Sequence, residues 1–208
     1  MNLGLGSAQF GIEYGITNLR GKVPEASVRE ILVGAAEACI DVVDTAATYG
    51  DAEEIIGRCL PRSSRPRLVT KTVPFSPDAS LEDNLAQAAL GFRQSLARLR
   101  VDHVYGLLVH NADDLLSAGG DQLAEWLLLQ RATGIARHVG VSVYTPEEVR
   151  ELFERYAFDL IQLPLNVVNQ RMFTGGTLAW LRTRPVEVHV RSVFLQGLLL
   201  GAPARRCP

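Results

Sequence analysis

SLARLRVDHVYGLLVH, residues Ser95 to His110, contains the change of period that decides the fold. Its first half ends an apolar stripe at spacings of three and four, Leu85, Ala89, Phe92, Leu96 and Leu99. That stripe predicts a helix over 81–99, capped by Ser80 with Asp83 and carrying Arg93 and Arg98 on its wet side. The second half is a nearly unbroken apolar run, as in a strand covered on both faces, and predicts a strand from His103 to His110.

Outward from this unit the same rhythm repeats. Further strands are expected at Asn2 to Ala8, Asp41 to Ala46, Arg67 to Thr72, His138 to Val143, Leu160 to Leu165 and Val186 to Val193, which makes seven. Between them, Pro24-Glu25 opens a helix, and Thr145-Pro146-Glu147-Glu148 supplies an N-cap, a proline at the first helical position and a glutamate at the third. Strands alternating with helices predict parallel βαβ units. The expected fold is α/β, a (β/α) TIM-type barrel with about seven of its eight βα units. A complete barrel takes about 250 residues, and here only Phe194 to Pro208 follow the seventh strand. The tail GAPARRCP, with two prolines and an arginine pair, does not read as an eighth strand. The expectation is one barrel domain over residues 1–208, truncated before its eighth unit, whose open edges invite self-association.

Composition excludes several function classes. With 208 residues, 47% hydrophobic and 21% charged, the chain can bury a large core, and its net charge of -2 offers no basic face to nucleic acid. No apolar run approaches the roughly 20 residues of a membrane helix, and MNLGLGSAQF lacks the basic start of a secretory signal, so a cytoplasmic protein is expected. Cys39, Cys59 and Cys207 are odd in number and have no CxxC spacing; Cys39 and Cys59 read as helix-face residues near the core. His103 and His138 begin strands whereas His110 ends one, so no metal site is expected. Gly175-Gly176 reads as a turn, and Phe10 to Lys22 as a mobile lid or turn.

Four titratable residues fall at or just beyond the ends of successive strands, the rim where catalytic groups of such barrels converge: Asp44, Tyr49, Lys71 and His110. Singly, each has an ordinary explanation as a cap, a loop aromatic, a strand-end charge or a satisfied histidine. Together they make a site. A buried lysine and aspartate tolerate each other as an ion pair. An ammonium near Tyr49 would lower the pKa of its phenol, and His110 could hold a carbonyl oxygen beside the Tyr49 hydroxyl. Such a set suits carbonyl reduction once a hydride donor is present.

Asp44-Thr45-Ala46 with Tyr49-Gly50, the VTK of the third strand and SLARLRVDHVYGLLVH resemble the aldo/keto reductases, in which a helix reading SLxRL leads into a strand ending in His. LGLGSAQFG, the GVS of Gly140 to Ser142, IQLPLN and RSVFLQGLLLG extend the likeness along essentially the whole chain. The resemblance implies a catalytic tetrad of Asp44, Tyr49, Lys71 and His110. It further implies a nicotinamide carboxamide held by Ser142 and Gln162, and a pyrophosphate path lined by Ser192, Phe194, Gln196, Gly197 and Leu198. The implied activity is reduction of an aldehyde, ketone or sugar by hydride transfer from NADPH, or from NADH, with Tyr49 as proton donor. The alternative is a truncated remnant or binding module of the same fold.

Two residues depart from the family pattern. Val143 stands where many members have Asn, and Arg191 where many have an aromatic residue that stacks on the nicotinamide; a planar guanidinium can stack in its place.

Overall fold

The computed structural model describes residues 3–61 and 66–201. One sheet holds seven parallel strands in chain order: β1 (Gly4–Gly6), β2 (Val42–Asp44), β3 (Arg67–Lys71), β4 (Val104–Val109), β5 (Ala136–Ser142), β6 (Leu160–Pro164) and β7 (Glu187–Arg191). Between them run α1 (Ala8–Gly11), α2 (Glu25–Glu37), α3 (Ala52–Cys59), α4 (Leu81–Leu99), α5 (Ala112–Leu116), α6 (Gly120–Ala132), α7 (Pro146–Arg155), α8 (Arg171–Thr174) and α9 (Thr177–Leu181). This is a (β/α) barrel architecture, and all seven expected strands are present. The tail after Gly201, including Cys207, lies outside the described residues.

Alternation along the strands sorts side chains into two layers. Val43, Leu68, Leu107, Val139, Val141, Ile161 and Leu163 join the large core beneath the helices, whereas Val42, Val69, Leu108 and Leu160 form a small separate cluster on the concave face. Each side chain of this size taken fully out of water contributes about 1.5–3 kcal/mol. Gly106 shows how tightly the sheet curls: a Cβ there would lie 2.5 Å from the end of the Leu160 side chain, so a larger residue on β4 would make that side chain of β6 shift. Residues in register with these interior positions, among them Asp44, Lys71, Ser142, Gln162 and Arg191, share the concave face at the C-terminal ends of their strands.

Helix α4 has the expected ends, and the Ser80 hydroxyl accepts from Asp83 N at 3.1 Å. Its buried face is rotated from the expected stripe: Asn84, Ala88, Gly91, Phe92, Ser95 and Leu99 are buried, while Leu85, Ala89 and Leu96 are only half-buried. Small residues occupy the line of closest approach, as at Gly57 of α3, where a Cβ would meet Arg98 O at 2.1 Å. Arg98 is therefore not on the wet side. It lies 2.7 Å from the carboxylate of Glu53, which is 1% exposed and also accepts from Thr70 Oγ1.

One further expectation is corrected. Cys39 is exposed and follows α2 with a left-handed φ of 57°, because the chain must reverse there into β2; Cys59 is buried as expected. Phe10 to Lys22, expected as a mobile lid or turn, opens within the short helix α1 and contains a turn at Ile16 and Thr17, where Asn18 donates to Tyr14 O and Gly21 O and Lys22 pairs with Asp51 at 2.7 Å. At Thr145 the cap forms, but Glu148 accepts from the amide of Tyr144, one residue before the cap.

Candidate active site

Strand ends deliver two of the four tetrad candidates, Asp44 and Lys71, and the loops after β2 and β4 deliver Tyr49 and His110. Lys71, the last residue of β3, has a side chain shut off from solvent and donates from Nζ to Asp44 Oδ1 at 2.7 Å and to Thr45 O at 2.8 Å. Asp44 Oδ1 also accepts from Gln162 Nε2 at 2.7 Å, a bond that crosses the barrel from β6 to β2. A buried ammonium and a half-buried carboxylate placed in this way offset each other's loss of water.

Tyr49 and His110 meet over this pair. Their ring centroids are 5.9 Å apart, edge to face, and Lys71 Nζ sits 5.3 Å from the Tyr49 centroid. Strand β4 ends at Val109, so His110 projects from the first loop residue. Its amide donates to Thr72 Oγ1 at 3.3 Å, and its Nδ1 lies 3.2 Å from Thr48 Oγ1. Neither the Tyr49 hydroxyl nor His110 Nε2 has a hydrogen-bond partner among the described residues, so two polar groups on rings in edge contact are left unengaged.

Electrostatics fix their protonation. Burial, followed by the charges of Lys71 and Arg191 against that of Asp44, holds His110 down at about 4, so its ring is neutral at pH 7 and carries one N–H. Burial, and next Asp44, push the Tyr49 phenol above its ordinary value. The expectation that Lys71 would lower it is not met. Asp44 compensates the ammonium directly, and no hydrogen bond joins Lys71 to the Tyr49 hydroxyl.

Ser142 and Gln162 are register partners on β5 and β6, 3% and 4% exposed. Gln162 spends its amide nitrogen on Asp44, which leaves Oε1 able to accept; the Ser142 hydroxyl has no partner among the described residues. Arg191 ends β7. Its Nη2 donates to Val143 O at 3.1 Å, its Nη1 to Ser192 Oγ at 3.4 Å, and its plane lies 4.0 Å from the ring centre of Tyr144. The two departures from the family pattern, Val143 and Arg191, thus touch each other.

Beyond Arg191 the backbone is unusual. Ser192, Leu195 and Gln196 take left-handed φ values of 59°, 49° and 56°, followed by Gly197 at 91°. Each such non-glycine residue costs on the order of 1–3 kcal/mol. Phe194 and Gln196 are exposed, Leu198 opens a 3-10 turn through Leu200, and a Cβ at Gly197 would lie 2.4 Å from the Thr17 hydroxyl. The loop after β7 therefore packs against the loop after β1 at the rim. Sequence reasoning missed Thr48, Thr72 and Tyr144. Thr48 and Tyr144 adjoin residues singled out for chemistry, which was the only signal available; Thr72 merely continues the third strand.

Comparison with known proteins bears on the family and the fold. The model of the aldo/keto reductase family matches residues 2–206. Oxidoreductase YdhF of Escherichia coli (strain K12) is 37% identical over 98 residues, 45% of this chain and 32% of that protein. Among solved structures, glycerol dehydrogenase AKR11B4 from Gluconobacter oxydans aligns with a TM-score of 0.73 and 26% identity, over 99% of this chain and 63% of its own. A Gox0644 mutant in complex with NADPH aligns with a TM-score of 0.70 at 17% identity, over 96% of this chain and 66% of its own. The chain spans about a third of YdhF and less than two thirds of the glycerol dehydrogenase. With nearly every residue inside the family match, the chain belongs to the aldo/keto reductase family.

Proposed function

We propose that this protein is an NADPH-dependent oxidoreductase that reduces the carbonyl of an aldehyde, ketone or sugar to an alcohol, with Tyr49 as proton donor. The observation that carries the reading is the pair of unengaged groups, the Tyr49 hydroxyl and the neutral His110 ring, set over the Lys71–Asp44 ion pair. A carbonyl oxygen between them would accept from both. Tyr49 stays protonated until negative charge develops on that oxygen, and an alkoxide is basic enough to take the proton from a phenol whose pKa burial has raised. Arg191, whose charge acts on Tyr49 in that direction, would favour the phenolate that is left.

The residues present fit a nicotinamide. Ser142 and Gln162 offer a donor and an acceptor side by side, matching the two ends of a carboxamide, and the left-handed run at Leu195 to Gly197 shapes a backbone loop for the pyrophosphate. Bound there, NADPH would supply the hydride. NADPH is placed ahead of NADH because the related Gox0644 mutant was solved with it. The names of YdhF and AKR11B4, an oxidoreductase and a glycerol dehydrogenase, support the same reaction class.

Calorimetric titration of NADPH, then NADH, into the 208-residue chain tests this directly. Saturable binding at micromolar concentrations, followed by reduction of a small aldehyde, is the expected result. A folded chain that binds neither dinucleotide would overturn the reading in favour of the binding-module alternative.

A further inference from the structure

We infer that Thr48 is a positioning residue: its hydroxyl donates to His110 Nδ1 and thereby keeps the proton of that ring on Nε2, the nitrogen left open to a ligand. The inference rests on the reductase reading for the use made of that proton, but where the proton sits can be measured without turnover.

A neutral imidazole carries its one proton on either of two nitrogens, and the bond made by one nitrogen decides which. Only the tautomer with Nε2–H can donate to a carbonyl oxygen; the other turns a lone pair toward it. Among the described residues the ring nitrogens of His110 make a single hydrogen bond, Nδ1 to Thr48 Oγ1 at 3.2 Å. The Thr48 hydroxyl has no other partner there. If it donates, each group is used once and Nε2 keeps its hydrogen. In the opposite arrangement Nδ1–H would donate to Thr48, whose own O–H would be left without an acceptor among the described residues, and Nε2 would be bare.

The contact is held from both sides. The turn that carries Thr48 and Tyr49 is pinned to α1 backbone to backbone, since a Cβ at Gly11 would collide with Tyr49 O and one at Gly50, where φ is 56°, with Gly11 O. Tyr49 N donates to Ala46 O and Ala52 N to Tyr49 O, both at 3.0 Å, which closes the turn into α3. From β3, Thr72 Oγ1 accepts the amide of His110 at 3.3 Å and so fixes the backbone behind the ring. The branch at Cβ of threonine restricts χ1, so little freedom is lost in keeping the Thr48 hydroxyl on the ring. Neighbouring residues of one turn thus meet the same imidazole, Thr48 at Nδ1 and Tyr49 edge to face.

Long-range proton–nitrogen correlation spectra of the 15N-labelled 208-residue chain at pH 7 read the tautomer directly, with the His110 signals identified among the four histidines by their absence in His110→Gln. We expect Nε2–H in the unaltered chain, a mixture of tautomers in Thr48→Val and a return to Nε2–H in Thr48→Ser. Thr48 is exposed, so the fold should bear both exchanges. A proton on Nδ1 in the unaltered chain would overturn the inference, and so would an Nε2–H tautomer that persists in Thr48→Val. With NADPH and 4-nitrobenzaldehyde, kcat/KM should fall about three- to tenfold in Thr48→Val, the effect of one hydrogen bond, and recover in Thr48→Ser. Adding Thr48→Val to His110→Gln should cost nothing further, because the two residues act through one contact. A tautomer shift with kcat/KM unchanged, or an undiminished loss in the His110→Gln background, would remove Thr48 from its positioning role. If the unaltered chain reduces no aldehyde, the reductase reading fails on that result alone, and the spectra still decide for or against Thr48.

Discussion

At the N-terminal end of the barrel interior the charged groups pair with one another and only Arg67 Nε, among the described residues, lacks an acceptor, whereas at the C-terminal end several polar groups remain open. In the lower layer Glu187 of β7 accepts from Tyr105 of β4, lies 2.7 Å from His189 Nε2 and 3.7 Å from Arg67 of β3. Arg67 also pairs with Asp41 at 2.9 Å, and the Tyr105 ring stacks at 4.7 Å on His138, whose Nδ1 lies 3.1 Å from Asp159. Burial pushes the Glu187 carboxyl up, but the bonds from Tyr105 and His189 outweigh it and hold it below its ordinary value. In the upper layer only Lys71, Asp44 and Gln162 are closed in this way. The same residue types serve packing at one end and stand ready for a ligand at the other. What separates the ends is how many polar groups are left without a partner.

The largest expected effect breaks the open end. Tyr49→Phe removes one hydroxyl that no described group engages, so the fold should tolerate it, yet kcat should fall by ~10²–10⁴-fold as for loss of a general acid. NADPH affinity should be nearly unchanged. Parallel loss of kcat and cofactor binding would make Tyr49 structural. Lys71→Met should abolish turnover too, and additionally cost about 3 kcal/mol in denaturant unfolding, because Asp44 would keep a charge without its counterion. A fully stable Lys71→Met would mean that Gln162 alone suffices for Asp44.

Glu187→Gln probes the closed end. It should lower stability by about 1–2 kcal/mol through weakened bonds to Tyr105 and His189, while turnover per folded molecule stays the same. Exchange of the β7 amides with deuterium should quicken, since those side chains anchor the last strand to β3 and β4 from within. Loss of activity in excess of lost folded protein would mean that the two ends are coupled, and the division drawn above would fail.

How far these layers are legible in the sequence differs between them. Asp44, Lys71 and His110 could be read because each interrupts or ends an apolar run, and a charge that survives in such a place needs a reason. The bond from Gln162 to Asp44 spans 118 positions, and no local pattern announces it. The lower layer was invisible for a similar reason: Arg67, Tyr105, His138 and Glu187 sit at strand starts, where polar residues look like ordinary boundaries, and only closure of the sheet makes them neighbours. The α4 stripe erred because hydrophobicity marks the flanks of a closely packed helix, where long side chains reach inward. The contact line itself is held by Gly91, Ala88 and Ser95. Likewise Arg191 was recognised as a departure, but nothing in the sequence revealed that it would bond to Val143, the other departure.

The smallest expected effect is a pH dependence in which half-buried His110 and buried Asp114 oppose each other. His110 is held down, first by burial, to about 4 from 6.5, so between those values the unfolded chain binds a proton that the folded chain refuses. Its contribution to stability therefore falls as pH drops through that window. Asp114 of α5 is pushed up by burial to about 6 from 3.8, although it accepts from Phe75 N at 3.2 Å. There the folded chain holds the extra proton, and stability rises as pH drops from about 6. Between about 4 and 6 the two slopes cancel in part, so the unaltered chain should show a shallow profile. His110→Gln should leave the Asp114 slope, with denaturant midpoints rising on acidification over that range; Asp114→Asn should leave the His110 slope, with midpoints falling. Two variants that both track the unaltered chain would show that neither group is desolvated enough to set the stability of the open end.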